Sequence, residues 1–310
     1  MLNVGRRGVA LVSALSLSFA LAMPALAVGA KDGHPEWACG PEDAGAGASA
    51  RGPVADRGGR IREKDVGQVA KSLPASAQGR APGSLAVTVP VYWHVITSGT
   101  EGAVTNTQIS HQIAVLNLGF SGGEGGDDTG FAFTLAGVTR TNNATWYASR
   151  SAGAEHAMKQ ALKQGGDGDL NVYSTSGGAY LGWAYLPEIT DTAQAYLDGI
   201  VIDWRTMPGV SDAYEGEFDE GDTLTHEAGH WLNLEHTFYG QCNKTGDFVD
   251  DTPAQKAPSS GCPEGNDTCR QPGLDPVHNY MDYSDDPCLT EFTPGQSQRM
   301  LDSWLLYRAS

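Results

Sequence analysis

The segment His226-Glu227-Ala228-Gly229-His230-Trp231-Leu232-Asn233-Leu234-Glu235-His236 constrains this chain more than any other feature. Two histidines four positions apart project from one face of a helix, about one turn from each other. A third histidine six positions further on cannot share that face. It reaches the same point only if the helix stops near Asn233 and the chain turns back sharply. Such a turn usually needs positive φ, which glycine supplies most easily and asparagine tolerates better than most residues. The spacing therefore predicts a helix over 219–234 that ends at a tight turn, with three imidazoles meeting beyond it.

Three neutral imidazoles suit a tetrahedral zinc ion (Zn2+) and leave one position for water, the pattern of a catalytic rather than a structural site. His226, His230 and His236 are the candidate ligands. Glu227 directly follows the first of them, so its carboxylate can reach that water instead of the metal. Its expected role is general base and then general acid in the hydrolysis of an amide bond. A structural metal site has no need of such a base. That weighs against a non-catalytic, zinc-stabilised binding module, the rival reading from another class.

Export is the second inference. Arg6 and Arg7 precede an apolar run from Val9 to Leu21, and Ala25-Leu26-Ala27 offers the small-x-small pattern of a cleavage site. Ser13, Ser16, Ser18 and Pro24 interrupt the run, whereas a stable membrane span needs ~20 consecutive apolar residues. Residues 1–27 read as a signal peptide, and no stable membrane insertion is expected after its removal. The formal net charge is −17, and removing Arg6 and Arg7 with the signal takes the remainder to −19. That balance excludes sequence-independent nucleic-acid binding, which needs a basic footprint. Residues 28–84 are rich in Gly, Ala, Pro and Ser and could not bury enough apolar surface to offset their ordering entropy, so they read as a flexible leader or propeptide.

Residues 85–310 carry the pattern of a folded domain. Val87, Val89, Val91, Trp93 and Val95 alternate as in a strand. Ile109, Ile113, Leu116 and Phe120 recur at helical spacing. Further strands are expected at 131–139, 170–174, 179–186 and 199–204, and further helices at 152–164 and 294–307. Alternating strands and helices indicate an α+β domain, α/β-like in its order. The stretch 239–279 reads as loop, punctuated by prolines. Cys242, Cys262, Cys269 and Cys288 fall within the 47 residues 242–288, which in an oxidising compartment indicates two disulfides of unspecified pairing. Cys39 is left over.

At this point the sequence resembles a known family. The segment 226–236 is similar to the extended zinc signature of the metzincin peptidases, with Asn233 where the signature has glycine. Asn279-Tyr280-Met281-Asp282-Tyr283-Ser284 looks like their Met-turn. Asp251-Thr252-Pro253, Gly261-Cys262-Pro263, Asp267-Thr268-Cys269 and Phe292-Thr293-Pro294-Gly295-Gln296 look most like the pappalysin/cytophagalysin-type secreted peptidases. The resemblance implies a twisted mixed sheet above a zinc helix, and an irregular C-terminal subdomain stapled by Cys242–Cys269 and Cys262–Cys288. It implies Met281 as an apolar floor beneath the imidazoles and Tyr283 as a hydroxyl donor to the tetrahedral intermediate. It implies a substrate lying extended along the strand at 199–204 as the sheet edge. Cys39 resembles part of a leader motif, which raises the expectation that its thiolate occupies the fourth zinc position in a proenzyme; a thiol without a role is the alternative.

The chain is thus expected to be a secreted zinc endopeptidase acting as a monomer on protein or peptide substrates. A zinc-dependent hydrolase of non-protein amides, such as cell-wall material, is the other enzymatic reading. Asp247, Asp250, Asp251, Thr252 and Asp267 supply hard oxygen atoms that suit calcium (Ca2+), with solvated loop charges as the competing account.

Overall fold

The computed structural model describes residues 86–309. The expected signal peptide, the leader and Cys39 lie outside the described residues.

Five strands form one sheet in the order β2-β1-β3-β5-β4: β1 (Val87–Thr97), β2 (Phe131–Asn142), β3 (Leu170–Thr175), β4 (Gly182–Ala184) and β5 (Ile200–Asp203). The first four neighbours in that order run parallel, and β4 pairs antiparallel with β5 at the outer edge. Parallel pairing needs crossover connections, and the chain supplies them as α1 (Asn106–Phe120) and α3 (Ala152–Leu162), with the short α2 (Ala144–Ala148) preceding the latter.

The alternation in β1 decides which face is which. Val89, Val91, Trp93 and Val95 are fully buried and join one core with Ile109, Leu116 and Phe120 of α1. Ile96 turns to the other face, where Met158 of α3, Tyr173, Trp183 and Val201 form a smaller core. Thr105 and Gln108 make a reciprocal capping box that starts α1. β3 and β5 are buried on both faces, as strands inside a covered sheet must be.

The first core continues downward into α4 (Asp222–Trp231) through Leu224, Ala228 and Trp231. This helix is shorter than the expected 219–234. Gly221 has φ 104° and takes the N-cap position without a side-chain cap, so the helix cannot start earlier. The remote carboxylate of Asp286 caps it instead, accepting from the backbone N–H of Glu220, Gly221 and Asp222 at 2.9, 3.1 and 3.3 Å.

From 232 to 293 the described chain has no α-helix or β-strand beyond a single 3-10 turn at Asp286–Cys288. Disulfides join Cys242 to Cys269 and Cys262 to Cys288, the pairing the resemblance implied. The closing helix α5 (Pro294–Tyr307) starts with its own capping box, Thr293 with Gln296. Among the described residues no helix is long and apolar enough to cross a membrane.

Arg308, just past α5, ties the two ends of the domain together. It is fully buried, donates to Asp198 at 3.0 Å and to the Trp231 carbonyl at 2.8 Å, and lies 3.6 Å over the Trp231 ring. Burial would raise the Asp198 pKa, but Arg308, with Lys163 and Lys159, holds it below the usual carboxylate range. Replacing Arg308 by Ala leaves a buried carboxylate without its main cation, so a loss of about 3–5 kcal/mol is expected in urea unfolding. A depressed folded pKa contributes stability above the unfolded value and loses it as pH falls. The gap between parent and Arg308→Ala should therefore narrow in acid.

Candidate active site

α4 carries His226 and His230 on its lower face, one turn apart. After Trp231 the chain turns through Asn233, whose φ of 80° is the left-handed conformation the spacing demanded. The turn brings His236 back beneath the helix. The three Nε2 atoms lie 3.0, 3.1 and 3.2 Å from one another. All three rings are buried.

Backbone carbonyls set two of the tautomers. His226 Nδ1 donates to the Tyr280 carbonyl at 2.6 Å, and His230 Nδ1 donates to the Leu234 carbonyl at 2.7 Å. Each Nε2 then presents a lone pair to the common centre. Burial pushes all three imidazoles below their ordinary pKa, with His230 down to about 4. Neutral rings with converging lone pairs cannot satisfy one another, but they match a cation. Tetrahedral zinc with N ligands at ~2.0–2.1 Å separates its nitrogens by roughly 3.3 Å, so the residues present fit that ion.

Met281 is fully buried and packs against Gly229 of α4. Its Sδ occupies the space a Cβ on Gly229 would need, so any larger residue there would have to push the methionine side chain aside. Tyr283 packs against the site from the side, with ring centroids 4.9 Å from His236 and 5.7 Å from His226. Its hydroxyl is buried and has no hydrogen-bond partner among the described residues.

Glu227 is fully buried on the upper face of the site. Above it runs β4. A Cβ on Gly182 would come within 2.9 Å of Glu227 Cγ and 3.1 Å of Oε1, so a glycine lets the strand backbone lie directly over the carboxylate. This corrects the expected edge strand. The strand at 199–204 is β5, which is interior, flanked by β3 and β4. The edge is the three-residue β4, because the chain reverses at Gly177 and Gly178 (φ 68° and 64°) and returns outside β5.

Sequence reasoning missed the pocket beside His226 and Tyr283. Leu181, Phe218 and Leu289 form its apolar walls, and Asp222 and Asp286 lie deeper. Burial pushes Asp286 up to about 7, against the three N–H bonds it accepts, and burial with the Asp286 charge also raises Asp222. These residues come from three segments up to 108 positions apart (181 to 289), and no local pattern announces them.

The five expected calcium residues do not converge. Asp247 accepts from Thr252 Oγ1 at 2.7 Å, with the Val249 carbonyl 2.9 Å from the same hydroxyl oxygen. Asp251 instead serves the start of α5, accepting from Thr293 Oγ1 at 2.7 Å and Gly295 N at 2.8 Å. Asp250 and Asp267 are exposed. Among the described residues, only the three active-site histidines and the group Cys262, His278 and Cys288 bring three candidate ligand atoms within 4.8 Å. The second group contains a disulfide and offers no thiolates.

Comparison with known proteins places this arrangement. Residues 182–304 match the peptidase M43 family, described as pregnancy-associated plasma protein-A. An extracellular metalloprotease of Arthroderma benhamiae is 46% identical over 229 residues, 72% of this chain and 74% of the relative. One from Pyricularia oryzae is 46% identical over 246 residues, 76% and 83% of the two chains. Among solved structures, a promirolysin variant of Tannerella forsythia superposes with TM-score 0.66 at 27% identity, covering 78% of this chain and 85% of that one. Mature mirolysin in complex with a cleaved peptide gives TM-score 0.60 at 29% identity, covering 70% and 91%.

Asn233 yields a direct test. Its backbone is left-handed and its buried amide atoms have no hydrogen-bond partner among the described residues. Glycine removes both costs, so Asn233→Gly is expected to raise stability by about 1 kcal/mol. Asn233→Val should lower it by about 1–2 kcal/mol, because a β-branched residue is an outlier at positive φ. Thermal unfolding of the two variants beside the parent checks the sign of each.

Proposed function

The chain belongs to the peptidase M43 family, the pregnancy-associated plasma protein-A type, and on that premise we propose how its own residues carry out peptide hydrolysis. The protein is a secreted zinc metalloendopeptidase with the metzincin fold. His226, His230 and His236 hold the metal, and Glu227 moves the proton. One observation supports this assignment above the others: three buried, neutral imidazoles aim their Nε2 lone pairs at one point.

When bound, zinc supplies Lewis acidity, which lowers the pKa of water to about 7 and polarises a carbonyl oxygen. Glu227 takes a proton from the attacking water on a carboxylate oxygen as the new bond forms to the peptide carbonyl carbon. It then delivers that proton to the amide nitrogen as the C–N bond breaks, leaving a free amine and a carboxylic acid, whose remaining proton passes to the amine or to solvent. Tyr283 donates its hydroxyl hydrogen to the oxyanion of the tetrahedral carbon, a role suited to a buried donor that has no acceptor of its own. Met281 supports the ligands from below through its contact with Gly229. The substrate lies extended and pairs its backbone with β4.

Three further elements complete the proposal. Residues 1–27 direct export and 28–84 form a removable leader. Cys39 of that leader holds the metal position in the precursor, so a Cys39→Ser precursor should lose its latency.

The decisive experiment assays casein beside cell-wall fragments. Chelation should abolish casein cleavage, and zinc should restore it. Glu227→Ala should retain stoichiometric zinc while kcat falls by at least ~10²-fold. Tyr283→Phe should lower kcat by roughly 10- to 100-fold with KM little changed, since its hydrogen bond is made in the transition state. Near-parental turnover by Glu227→Ala would remove the assignment, and cleavage of wall fragments alone would replace the substrate class.

A further inference from the structure

We propose that the large cavity at the carboxyl ends of the parallel strands is a distal subsite for substrate residues that follow the cleaved bond, and that it takes a carboxylate-bearing side chain. The proposal rests on the peptidase reading above.

The cavity has a volume of about 810 Å³ and lies apart from the histidine centre. Strands β1, β3 and β5 run parallel, and the segments that follow each of them line it: Glu101 after β1, Gly178 after β3, and Trp204 and Arg205 after β5. Chain order reverses at β1, with β2 on one side and β3 on the other, so this is the crevice where open α/β sheets receive ligands.

Strand polarity connects the cavity to the cleft. β4 is the sheet edge, with Gly182 over Glu227, and Gly178 lies four residues earlier in the chain. Antiparallel pairing is the more stable kind per residue. A substrate paired that way with β4 runs parallel to β5, so the part after the cleaved bond travels from Gly182 towards Gly178. At roughly 3.3 Å per residue, the third to fifth residues after that bond arrive at the cavity mouth.

The charge on the wall is unlike the rest of the molecule. The lining carries Arg150, Arg205 and Glu101; Asp203 neutralises Arg205, which leaves Arg150 as the cation of this wall without an acid partner, in a chain of formal charge −17. Arg150 is exposed, and no acid among the described residues pairs with it. Arg205 is fixed in place: its Nε donates to both oxygens of buried Asp203 at 2.9 and 3.0 Å, and its guanidinium lies 5.3 Å from the Tyr214 ring centroid. Trp204 Nε1 donates to the Tyr147 hydroxyl at 3.0 Å, which gives the same cavity an aromatic wall. An acidic side chain repelled by most of this surface is accepted here.

The test uses a peptide spanning a casein bond that the parent cleaves, extended to six residues after that bond. Glu and Gln versions are made at the third, fourth and fifth positions, and at matched positions before the bond. The readout is the Glu-to-Gln ratio of kcat/KM within each enzyme, so a general loss of activity cancels. The parent should favour Glu downstream by about two- to fivefold, the scale of a partly exposed ion pair. Arg150→Gln should bring the ratio near one, and Arg150→Glu should reverse it. A parent ratio of one at all three positions would overturn the proposal. So would a downstream preference that survives in Arg150→Glu, or one matched before the bond. A parent that holds zinc yet cleaves no peptide would strike the peptidase reading itself.

Discussion

A sulfur atom set against bare backbone joins the two halves of this domain. Met281 Sδ occupies the space beneath Gly229 where any side chain on the helix would have to stand. Above that contact is a regular sheet-and-helix layer, and below it is a long irregular segment with few backbone ladders. The adjacent Tyr280 carbonyl accepts from His226 Nδ1, so the residue before the methionine also sets the tautomer of the first ligand. Packing and protonation state are thereby fixed at neighbouring peptide units, and a shift of this turn would disturb both together.

The irregular half needs other supports, because backbone groups outside helices and sheets still require partners. Two disulfides close segments of 27 and 26 residues, each removing roughly 3–4 kcal/mol of chain entropy from the unfolded state on the loop-closure model. Side-chain carboxylates replace the missing ladders. Asp282 accepts from Gln255 Nε2 and from Ser259 N at 3.0 Å, while Asp286 caps α4 and Asp251 caps α5. Much of the acidic content that reads from sequence as solubility or calcium binding is therefore spent on backbone N–H groups.

This explains what was legible beforehand. The histidine spacing, the alternation in β1 and the helical period of α1 are local patterns, each imposed by the geometry of a single element, and they survive intact. The turn at Asn233 was also legible, because only one stereochemistry lets His236 return. β4 was only half legible. Its residues read as a strand, but three residues cannot reveal that they lie outside β5 and form the edge. Asp286 was illegible for a different reason: a remote cap is chosen by tertiary contact, and Asp285-Asp286-Pro287 reads locally as an ordinary turn. Asp251, expected as a metal ligand, shows the converse, since a carboxylate near threonine and glycine suits a helix cap as well as a cation.

α5 bears on the site although it touches no ligand. Arg299 Nε donates to the Asn233 carbonyl at 2.8 Å, and Arg308 donates to the Trp231 carbonyl. Both carbonyls lie at the C-terminal end of α4, where the helix leaves acceptors unsatisfied and its dipole is negative. Two buried guanidiniums therefore neutralise the helix end from which the chain turns towards His236. Left-handed Asn233 costs energy that the bare turn would relieve by fraying, and frayed backbone would carry the third ligand away from the other two. Holding both carbonyls makes that escape expensive. α5 and the residue just past it thus act on the metal centre through the backbone of the turn, which accounts for the burial of Arg299 and Arg308.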